Sequence, residues 1–361
     1  MMQHFYLVPT NWTMTLASSP PAWGRRWDLD KKWKRRLRSR PDPPLPLEHF
    51  YQTTHKKPSL QHVLVHGLMR HPARTHDVRM ASICVVAGPP NGMCHSDWSS
   101  LCPTGKPLAV LESAVEPDDM LSRLCPSLWA KCNTTTAKVI RITSAMGFVV
   151  RKRLSACRAM STPWLSHARS AVVAQQQRVR RVRIAFAAGV TGHMGARKLG
   201  FDKWRRQLRD ACTGLRNNSR CTRLFQSLSG EDARSAVELY AQSDFCLQPP
   251  GDTLPRTGIV DAISVGCIPV LFHPGQTRLW PVHWHASESS LLFDWTSNAK
   301  QNASHVLQEL LDLPAARVAA LQSAVRTTAW RMHYRGDHGN ATDEHGDAID
   351  VLVSEGLLRY S

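Results

Sequence analysis

The sequence predicts an α/β fold in which parallel strands alternate with helices, and two features of its second half support this. Short apolar segments, such as Arg183 to Gly189 and Cys267 to Phe272, have the length and composition of buried strands. Polar segments with apolar residues at helical spacing, such as Phe201 to Ala211, lie between them. Strands that alternate with helices form a parallel sheet covered on both faces.

The first half of the sequence predicts fewer elements. The stretch from His62 to Ala87 indicates a helix, a polar loop and a buried strand, and Lys138 to Val150 indicates a further strand. The first 47 residues are rich in proline and basic residues and show no sustained periodicity. We therefore expect residues 1–47 to be a tail and linker.

The second half can be followed element by element. A helix is expected after Ser229, and the apolar stretch Phe245 to Leu247 predicts the next strand. A turn-rich loop leads to a predicted helix from Thr257 to Val265, which Gly266 closes before the strand Cys267 to Phe272. We divide the chain into the tail, a first α/β domain at 48–178, a second at 179–335, and a C-terminal tail at 336–361.

Length and charge set limits on function. The 361 residues, 42% of them hydrophobic, are enough for two cores of ordinary size. Lys and Arg outnumber Asp and Glu by 46 to 28, a formal charge of +18 that suits an anionic partner. The basic run from Arg25 to Arg40 is expected to be a solvated linker rather than a nucleic-acid site. No apolar window approaches the ~20 residues of a membrane-spanning helix.

The asparagines and cysteines favour a lumenal compartment. Five of the eight asparagines lie in glycosylation sequons, where chance predicts about one: Asn11, Asn133, Asn217, Asn302 and Asn340. Cys212 and Cys221 bracket a short polar loop, so a disulfide between them is predicted. Cys246 and Cys267 are expected to be small buried apolar residues on strands. No two cysteines form a CxxC pair, which argues against a zinc ribbon or a thioredoxin-like site.

The run from Phe245 to Phe272, FCLQPPGDTLPRTGIVDAISVGCIPVLF, places a loop between a strand and a helix. In an open α/β sheet, ligands bind beyond the carboxyl ends of the strands, where the first N–H groups of a helix point outward. A phosphate group fits that position. Gly251 lets the backbone approach such a group closely.

Three further side chains of this run suit a nucleotide. Asp252 or Thr253 can cap the helix, and Arg256 at its start carries donors suited to a diphosphate. Asp261, about a turn and a half further on, can accept hydrogen bonds from a ribose or sugar hydroxyl. The alternative is that Arg256 and Asp261 are surface charges of an ordinary helix.

This run resembles the exostosin-like glycosyltransferase family, in which a PPGD loop, an Arg, a helical Asp and GCIPV follow in this order and spacing. The resemblance is nearest to the plant xyloglucan galactosyltransferase branch, where FCLQPPGD and the FHPG run from Phe272 to Gly275 are similar. It extends upstream to IAFAAGVTGHMGARKL, with Arg197, and to a segment containing Arg74, Thr75 and Asp77.

The resemblance implies a GT-B architecture, with two Rossmann-like domains facing across a cleft. The first, shortened or diverged, is on the acceptor side, and the second holds a UDP-sugar. The donor-binding residues implied are Arg197, Gly251, Asp252, Arg256 and Asp261. The implied reaction is inverting transfer of a sugar, galactose as first guess, to a polysaccharide or glycoprotein hydroxyl. No metal is obligatory, although a divalent metal is compatible with this chemistry.

The resemblance also implies a Golgi enzyme, with a membrane anchor that this chain does not show. Asp77 is a weak candidate for the catalytic base and could equally be structural. Thr257 stands where many relatives have a second Arg, and the GxDH stretch of relatives is not found between Gly88 and Val139. A non-catalytic relative that binds nucleotide is therefore one alternative, and a basic nucleic-acid-binding protein is a weaker one.

Other candidate residues receive less weight. The histidines His62, His66, His71 and His76 have spacings that mix four and five residues, so we expect them to be scattered rather than metal ligands. A DxD sequence at Asp28 to Asp30 lies in the basic tail. His283 and His285 either line the cleft or belong to a packed loop.

Overall fold

The described residues of the computed structural model form two parallel β-sheets covered by helices. They are residues 3–8, 58–87, 102, 106–111, 139–143, 158–168, 180–189, 200–215, 220–224, 230–251, 254–296, 302–334 and 346–359. All strand pairs in both sheets are parallel.

The first sheet has six strands in the order β2-β1-β3-β4-β5-β6. They are β1 (Phe5–Leu7), β2 (Arg74–Thr75), β3 (Ile83–Ala87), β4 (Leu108–Leu111), β5 (Val139–Thr143) and β6 (Arg158–Ser161). Helix α1 (Pro58–Arg70) places Leu64 and Leu68 in the same core as the sheet. The predicted order of helix, loop and buried strand between His62 and Ala87 is confirmed.

Strand β1 corrects the prediction that residues 1–47 are all tail. Phe5 and Leu7 are buried, and β1 lies between β2 and β3 in the sheet. Three residues are too few to show a periodicity, and the strands that pair with them are about seventy residues away in the sequence. The pairing that makes this segment a strand is therefore a tertiary effect.

The second sheet has five strands in the order β11-β10-β9-β7-β8. They are β7 (Val182–Ala187), β8 (Cys221–Leu224), β9 (Ser243–Gln248), β10 (Ile268–Leu271) and β11 (Leu291–Leu292). Its helices are α2 (Phe201–Gly214), α3 (Gly230–Ala241), α4 (Thr257–Ser264), α5 (Ala286–Ser289), α6 (Ala303–Asp312) and α7 (Ala315–Ala329).

Both faces of this sheet are buried. Along β7, Ile184 and Phe186 belong to the core that contains residues of α2, α4, α6 and α7, whereas Ala185 and Ala187 face the core formed with α3. Successive side chains of a strand point to opposite faces, so this division is what a doubly covered sheet requires. Gly266, at φ +75°, ends α4 as the sequence predicts.

The C-terminal residues are not a tail, contrary to the prediction for 336–361. Helix α8 (Ala348–Val351), a π turn (Leu352–Gly356) and a 3-10 turn (Leu357–Arg359) follow one another. Leu352, Val353 and Leu357 are fully buried in the core of the first sheet. A Cβ on Gly356 would lie 2.5 Å from the sulfur of Met160, so the segment lies directly against β6. The chain therefore returns to the first domain after completing the second.

Hydrogen bonds between sequence-distant residues join the two halves. The Trp280 amide donates to Ser161 Oγ at 3.0 Å, and the Tyr334 hydroxyl donates to the Pro163 carbonyl at 2.8 Å. Trp280 has a positive φ of 51°, a conformation that is strained for a bulky residue. The segment after β6 is therefore held against the second domain.

Three disulfides connect described cysteines. The predicted bridge between Cys212 and Cys221 is present, and a second one joins Cys84 to Cys102. Cys246 and Cys267 are buried as expected but are also bridged to each other, so their description as simple apolar residues was wrong. Strands β9 and β10 are neighbours, which brings the two Cα atoms within 6.0 Å.

His283 gives the junction a pH-dependent stability. Its Nε2 donates to the Ala348 carbonyl at 3.0 Å, and the ring is fully buried. Burial lowers the pKa of His283 to about 4, assisted by the charge of Arg331. The unfolded chain, with an ordinary pKa of about 6.5, binds the proton more tightly. The contribution of neutral His283 to folding stability is therefore fully present above about pH 6.5 and is lost as the pH falls towards 4.

We expect the wild type to lose about 3 kcal/mol of folding stability over this range, because each pKa unit corresponds to about 1.4 kcal/mol. Urea denaturation at several pH values measures it against the variant His283→Gln. The Asp and Glu side chains titrate in both proteins, so their contributions cancel when the stability curve of the variant is subtracted from that of wild type. Parallel stability curves for the two proteins would contradict the assignment to His283.

Candidate functional site

The candidate site lies at the carboxyl edge of the second sheet. Strands β7, β9 and β10 end side by side, and the chain continues from them into Gly189, the loop Pro249 to Gly251, and the Phe272 to Gly275 segment. Parallel strands bring their carboxyl ends to one edge, which is where α/β sheets bind ligands. Gly251 lies at this edge, as predicted. Within the described ranges no helix has the length and apolar run needed to cross a bilayer.

Arg256 lies at this edge, as predicted from its position before α4. It is the N-cap residue of α4, has an extended backbone and is half-buried. Its Nη1 donates to the Pro249 carbonyl at 2.6 Å. The guanidinium therefore lies over the loop that follows β9.

Arg205 is a second arginine at the loop, and the sequence reasoning missed it. Its Nε donates to the Pro250 carbonyl at 2.9 Å and its Nη1 to the Gly189 carbonyl at 3.2 Å. The residue is only 7% exposed. Arg205 follows the buried Trp204 and precedes Leu208 by three residues, so it stands on the core-facing side of α2. A charged side chain at such a position needs hydrogen-bond partners when it is buried, and this requirement could have identified Arg205 from the sequence.

Gln276 fixes the ends of β9 and β10 relative to each other. Its Oε1 accepts from the amides of Phe272 and His273 at 2.9 and 3.2 Å, and its Nε2 donates to the Gln248 carbonyl at 2.9 Å. His273 Nδ1 accepts from the Gly275 amide at 2.9 Å. The FHPG segment thus forms a tightly hydrogen-bonded rim of the candidate site.

Gly258 in the first turn of α4 leaves room for a buried polar cluster. A Cβ there would lie 2.7 Å from Oε1 of Gln248 and 3.4 Å from the Tyr240 hydroxyl. Burial raises the pKa of Tyr240 to about 12, so its hydroxyl stays protonated and donates to the Ala187 carbonyl at 3.3 Å. The beginning of α4 therefore rests on side chains from β9 and α3.

Asp261 on α4 is bound by the segment that leaves the first sheet. Its Oδ1 accepts from Ser166 Oγ at 2.8 Å and from the His167 amide at 2.6 Å, and its Oδ2 lies 2.8 Å from His167 Nδ1. The Asp261 side chain is 5% exposed. The contact of Asp261 with a ribose hydroxyl stays a prediction. Burial acts to lower the pKa of His167, and Asp261 outweighs it, so the pKa is raised.

Asp77, the weak candidate for the base, is placed poorly for that role. Arg79 pairs with its carboxylate at 2.8 Å, and this hydrogen bonding lowers the pKa of Asp77 to about 2. Lys106, which precedes β4, donates to the carbonyls of Val78 and Arg79 at 2.8 Å. The Asp77 turn thus lies near the amino edge of the first sheet, opposite to the edge where ligands bind. The structure supports the structural reading.

Other predicted residues have mixed outcomes. Asn302 is exposed and its Oδ1 caps α6 by accepting from the Ser304 amide at 3.0 Å. His283 is buried in the junction and does not line a cleft, whereas His285 is exposed.

In the described part of the chain, no three His, Cys, Asp or Glu side chains are grouped so as to hold a metal. Several predicted site residues lie outside the described residues: Arg197, Asp252, Thr253 and the sequon asparagines Asn11, Asn133, Asn217 and Asn340.

Two Rossmann-like parallel sheets, with this site at the carboxyl edge of the second, define a GT-B-like protein. Residues 130–301 match the family model of the Exostosin GT47 domain. This match and the relatives described next support a relationship of this region to the exostosin-like glycosyltransferases, close to their plant xyloglucan branch.

Three Arabidopsis thaliana proteins illustrate the relationship. Xyloglucan galactosyltransferase MUR3 is 31% identical over 157 residues, which are 41% of this chain and 24% of MUR3. Probable xyloglucan galactosyltransferase GT12 is 51% identical over 129 residues, 35% of this chain and 25% of that protein. Xyloglucan-specific galacturonosyltransferase 1 is 37% identical over 126 residues, which are 34% of this chain and 19% of that protein. The matched region spans about a quarter of the length of such relatives.

Solved structures resemble the chain only distantly. UGT2 of Phytolacca americana, complexed with UDP-2fluoro-glucose and pterostilbene, has a TM-score of 0.39 and 10% identity over 99% of both chains. Sucrose-phosphate synthase of Thermosynechococcus elongatus has a TM-score of 0.38 and 11% identity over 77% of this chain and 75% of its own.

Proposed function

We propose that this chain transfers a sugar, galactose as first guess, from UDP to a hydroxyl of a polysaccharide or glycoprotein, with inversion. One observation carries the proposal. Arg205 and Arg256 both bind carbonyls of the loop that joins β9 to α4, at the carboxyl edge of the second sheet. This is where a nucleotide diphosphate fits an α/β domain.

The chemistry follows from the geometry. When the bond from the sugar to the diphosphate breaks, negative charge grows on the departing UDP. The guanidinium of Arg256 and the positive end of α4 are both located at the loop where that charge would form. Charge neutralisation of this kind does not need a metal.

The donor sugar and the compartment are part of the proposal. The names of the relatives include both a galactosyltransferase and a galacturonosyltransferase, so both UDP-sugars are suitable test donors. Disulfides between described cysteines and the exposed sequon residue Asn302 favour the Golgi lumen, an oxidising compartment. Removal of N-glycans from native material should then increase its mobility on a gel.

An assay with radiolabelled UDP-galactose or UDP-galacturonic acid and xyloglucan as acceptor tests the activity. We expect sugar incorporation with one donor, and a product with inverted anomeric configuration. UDP binding measured on the same protein separates the alternatives. A protein that binds UDP and transfers neither sugar supports the non-catalytic alternative, and one that binds DNA or RNA but no UDP supports the nucleic-acid alternative.

A further inference from the structure

His167 and Asp261 form a buried pair that joins the segment after β6 to helix α4. His167 Nδ1 lies 2.8 Å from Asp261 Oδ2, and the two side chains are 12% and 5% exposed. The His167 amide and Ser166 Oγ hold the second carboxylate oxygen. Three hydrogen bonds from one short segment therefore fix the position of the imidazole relative to α4.

The pair connects the segment that follows β6 to the helix that follows the candidate donor loop. Strand β6 is parallel to its neighbour in the first sheet, and the chain leaves its carboxyl end at Ser161 on the way to His167. Asp261 is in the second turn of α4, whose first turn begins at the carboxyl edge of the second sheet. The pair is thus bound to the helix whose N-cap is Arg256, and Asp261 lies about 7.5 Å along the helix axis from that arginine.

The ring nitrogens of His167 have different environments. Nδ1 is bound to Asp261, and Nε2 has no hydrogen-bond partner in the part of the chain that the structure describes. A carboxylate on Nδ1 holds the proton there in the neutral ring, which leaves Nε2 as an acceptor with a free lone pair. The same carboxylate stabilises the imidazolium after a proton has been accepted.

The geometry points to His167 as the general base of the transfer reaction and to Asp261 as its positioning residue, an assignment that rests on the proposed function. Nε2 of His167 takes the proton of the acceptor hydroxyl. The hydroxyl oxygen forms its bond to the anomeric carbon of the sugar as the bond from that carbon to the diphosphate breaks. UDP leaves with the electron pair.

This assignment gives Asp261 a role different from the ribose contact that the sequence suggested. A carboxylate that binds ribose would contribute to UDP affinity. A carboxylate that orients His167 would contribute to turnover and leave UDP affinity nearly unchanged. The two roles therefore separate in a pair of measurements on one variant, Asp261→Asn.

The test compares wild type, His167→Ala, His167→Gln, Asp261→Asn and the control His305→Ala, which removes an exposed histidine of α6. UDP affinity is measured by calorimetry, and sugar transfer is measured with and without added imidazole. We expect both His167 variants to lose about a hundredfold or more in kcat, the usual contribution of a general base, with UDP affinity within about threefold of wild type. Imidazole should restore part of the activity of His167→Ala alone.

Each result of these measurements either supports or overturns the assignment of His167 and Asp261. Rescue by imidazole at unchanged folding stability supports the base, because a ring that only refilled the cavity would also raise the free energy of unfolding. A His167→Ala protein that gains nothing from imidazole overturns the proposal, as does a wild type that binds UDP but transfers nothing. If Asp261→Asn loses UDP affinity, the positioning role is wrong and the result supports a contact between Asp261 and the ribose. If the wild type binds no UDP, the donor site itself fails, which is a different result from failure of the base.

Discussion

Replacing Arg256 by alanine is expected to weaken UDP binding by about tenfold to more than a hundredfold. The side chain lies over the Pro249 to Gly251 loop at the start of α4, where its guanidinium can bind a diphosphate. Charged hydrogen bonds of this kind contribute roughly 1.5–3 kcal/mol each. Arg256→Lys should recover only part of the affinity, because lysine keeps the charge and loses the planar fork.

Calorimetric titration of UDP into each variant measures this effect. Arg317→Ala is the matched control, because Arg317 is exposed on α7, and its affinity should equal that of wild type. Arg205→Ala should weaken UDP binding too, but with a loss of folding stability, since Arg205 is buried and holds the carbonyls of Pro250 and Gly189. Unchanged affinity in Arg256→Ala would place the nucleotide somewhere else.

Replacing Leu352 by alanine is expected to destabilise the protein by about 2–5 kcal/mol. Leu352 is fully buried in the core of the first sheet, and truncation of a buried leucine removes apolar contacts and leaves a cavity. Urea denaturation followed by circular dichroism measures the loss. The effect tests the finding that the C-terminal segment belongs to the first domain.

A second leucine provides the control. Leu292 on β11 is 41% exposed, so Leu292→Ala removes the same atoms from a partly solvated position. We expect it to cost under about 1 kcal/mol, as surface substitutions usually do. If the two variants have equal stability, the C-terminal segment does not support the first core as described.

The sequence predicted the second sheet well because its elements carry local information. The strand β9, the loop with Gly251, helix α4 and strand β10 follow one another within thirty residues, each with its own apolar pattern. Gly266 marks the end of α4 by a conformation that glycine adopts easily. The position of Arg256 at the edge of the sheet followed from this order alone.

The features that the sequence did not predict depend on contacts between distant residues. Asp261 binds Ser166, which is 95 residues away in the sequence, so its partners could not be read from helix α4. The bridge between Cys246 and Cys267 requires β9 and β10 to be neighbours. In the same way, Leu352 finds its core only when the chain has crossed back to the first sheet.

A crystal structure of the protein with UDP tests the central claim, that the carboxyl edge of the second sheet binds the nucleotide of the donor. We expect the diphosphate to lie against the Pro249 to Gly251 loop and the first turn of α4, within hydrogen-bonding distance of the Arg256 guanidinium. UDP bound away from this edge, with no contact between its diphosphate and the Arg256 guanidinium, would contradict the claim.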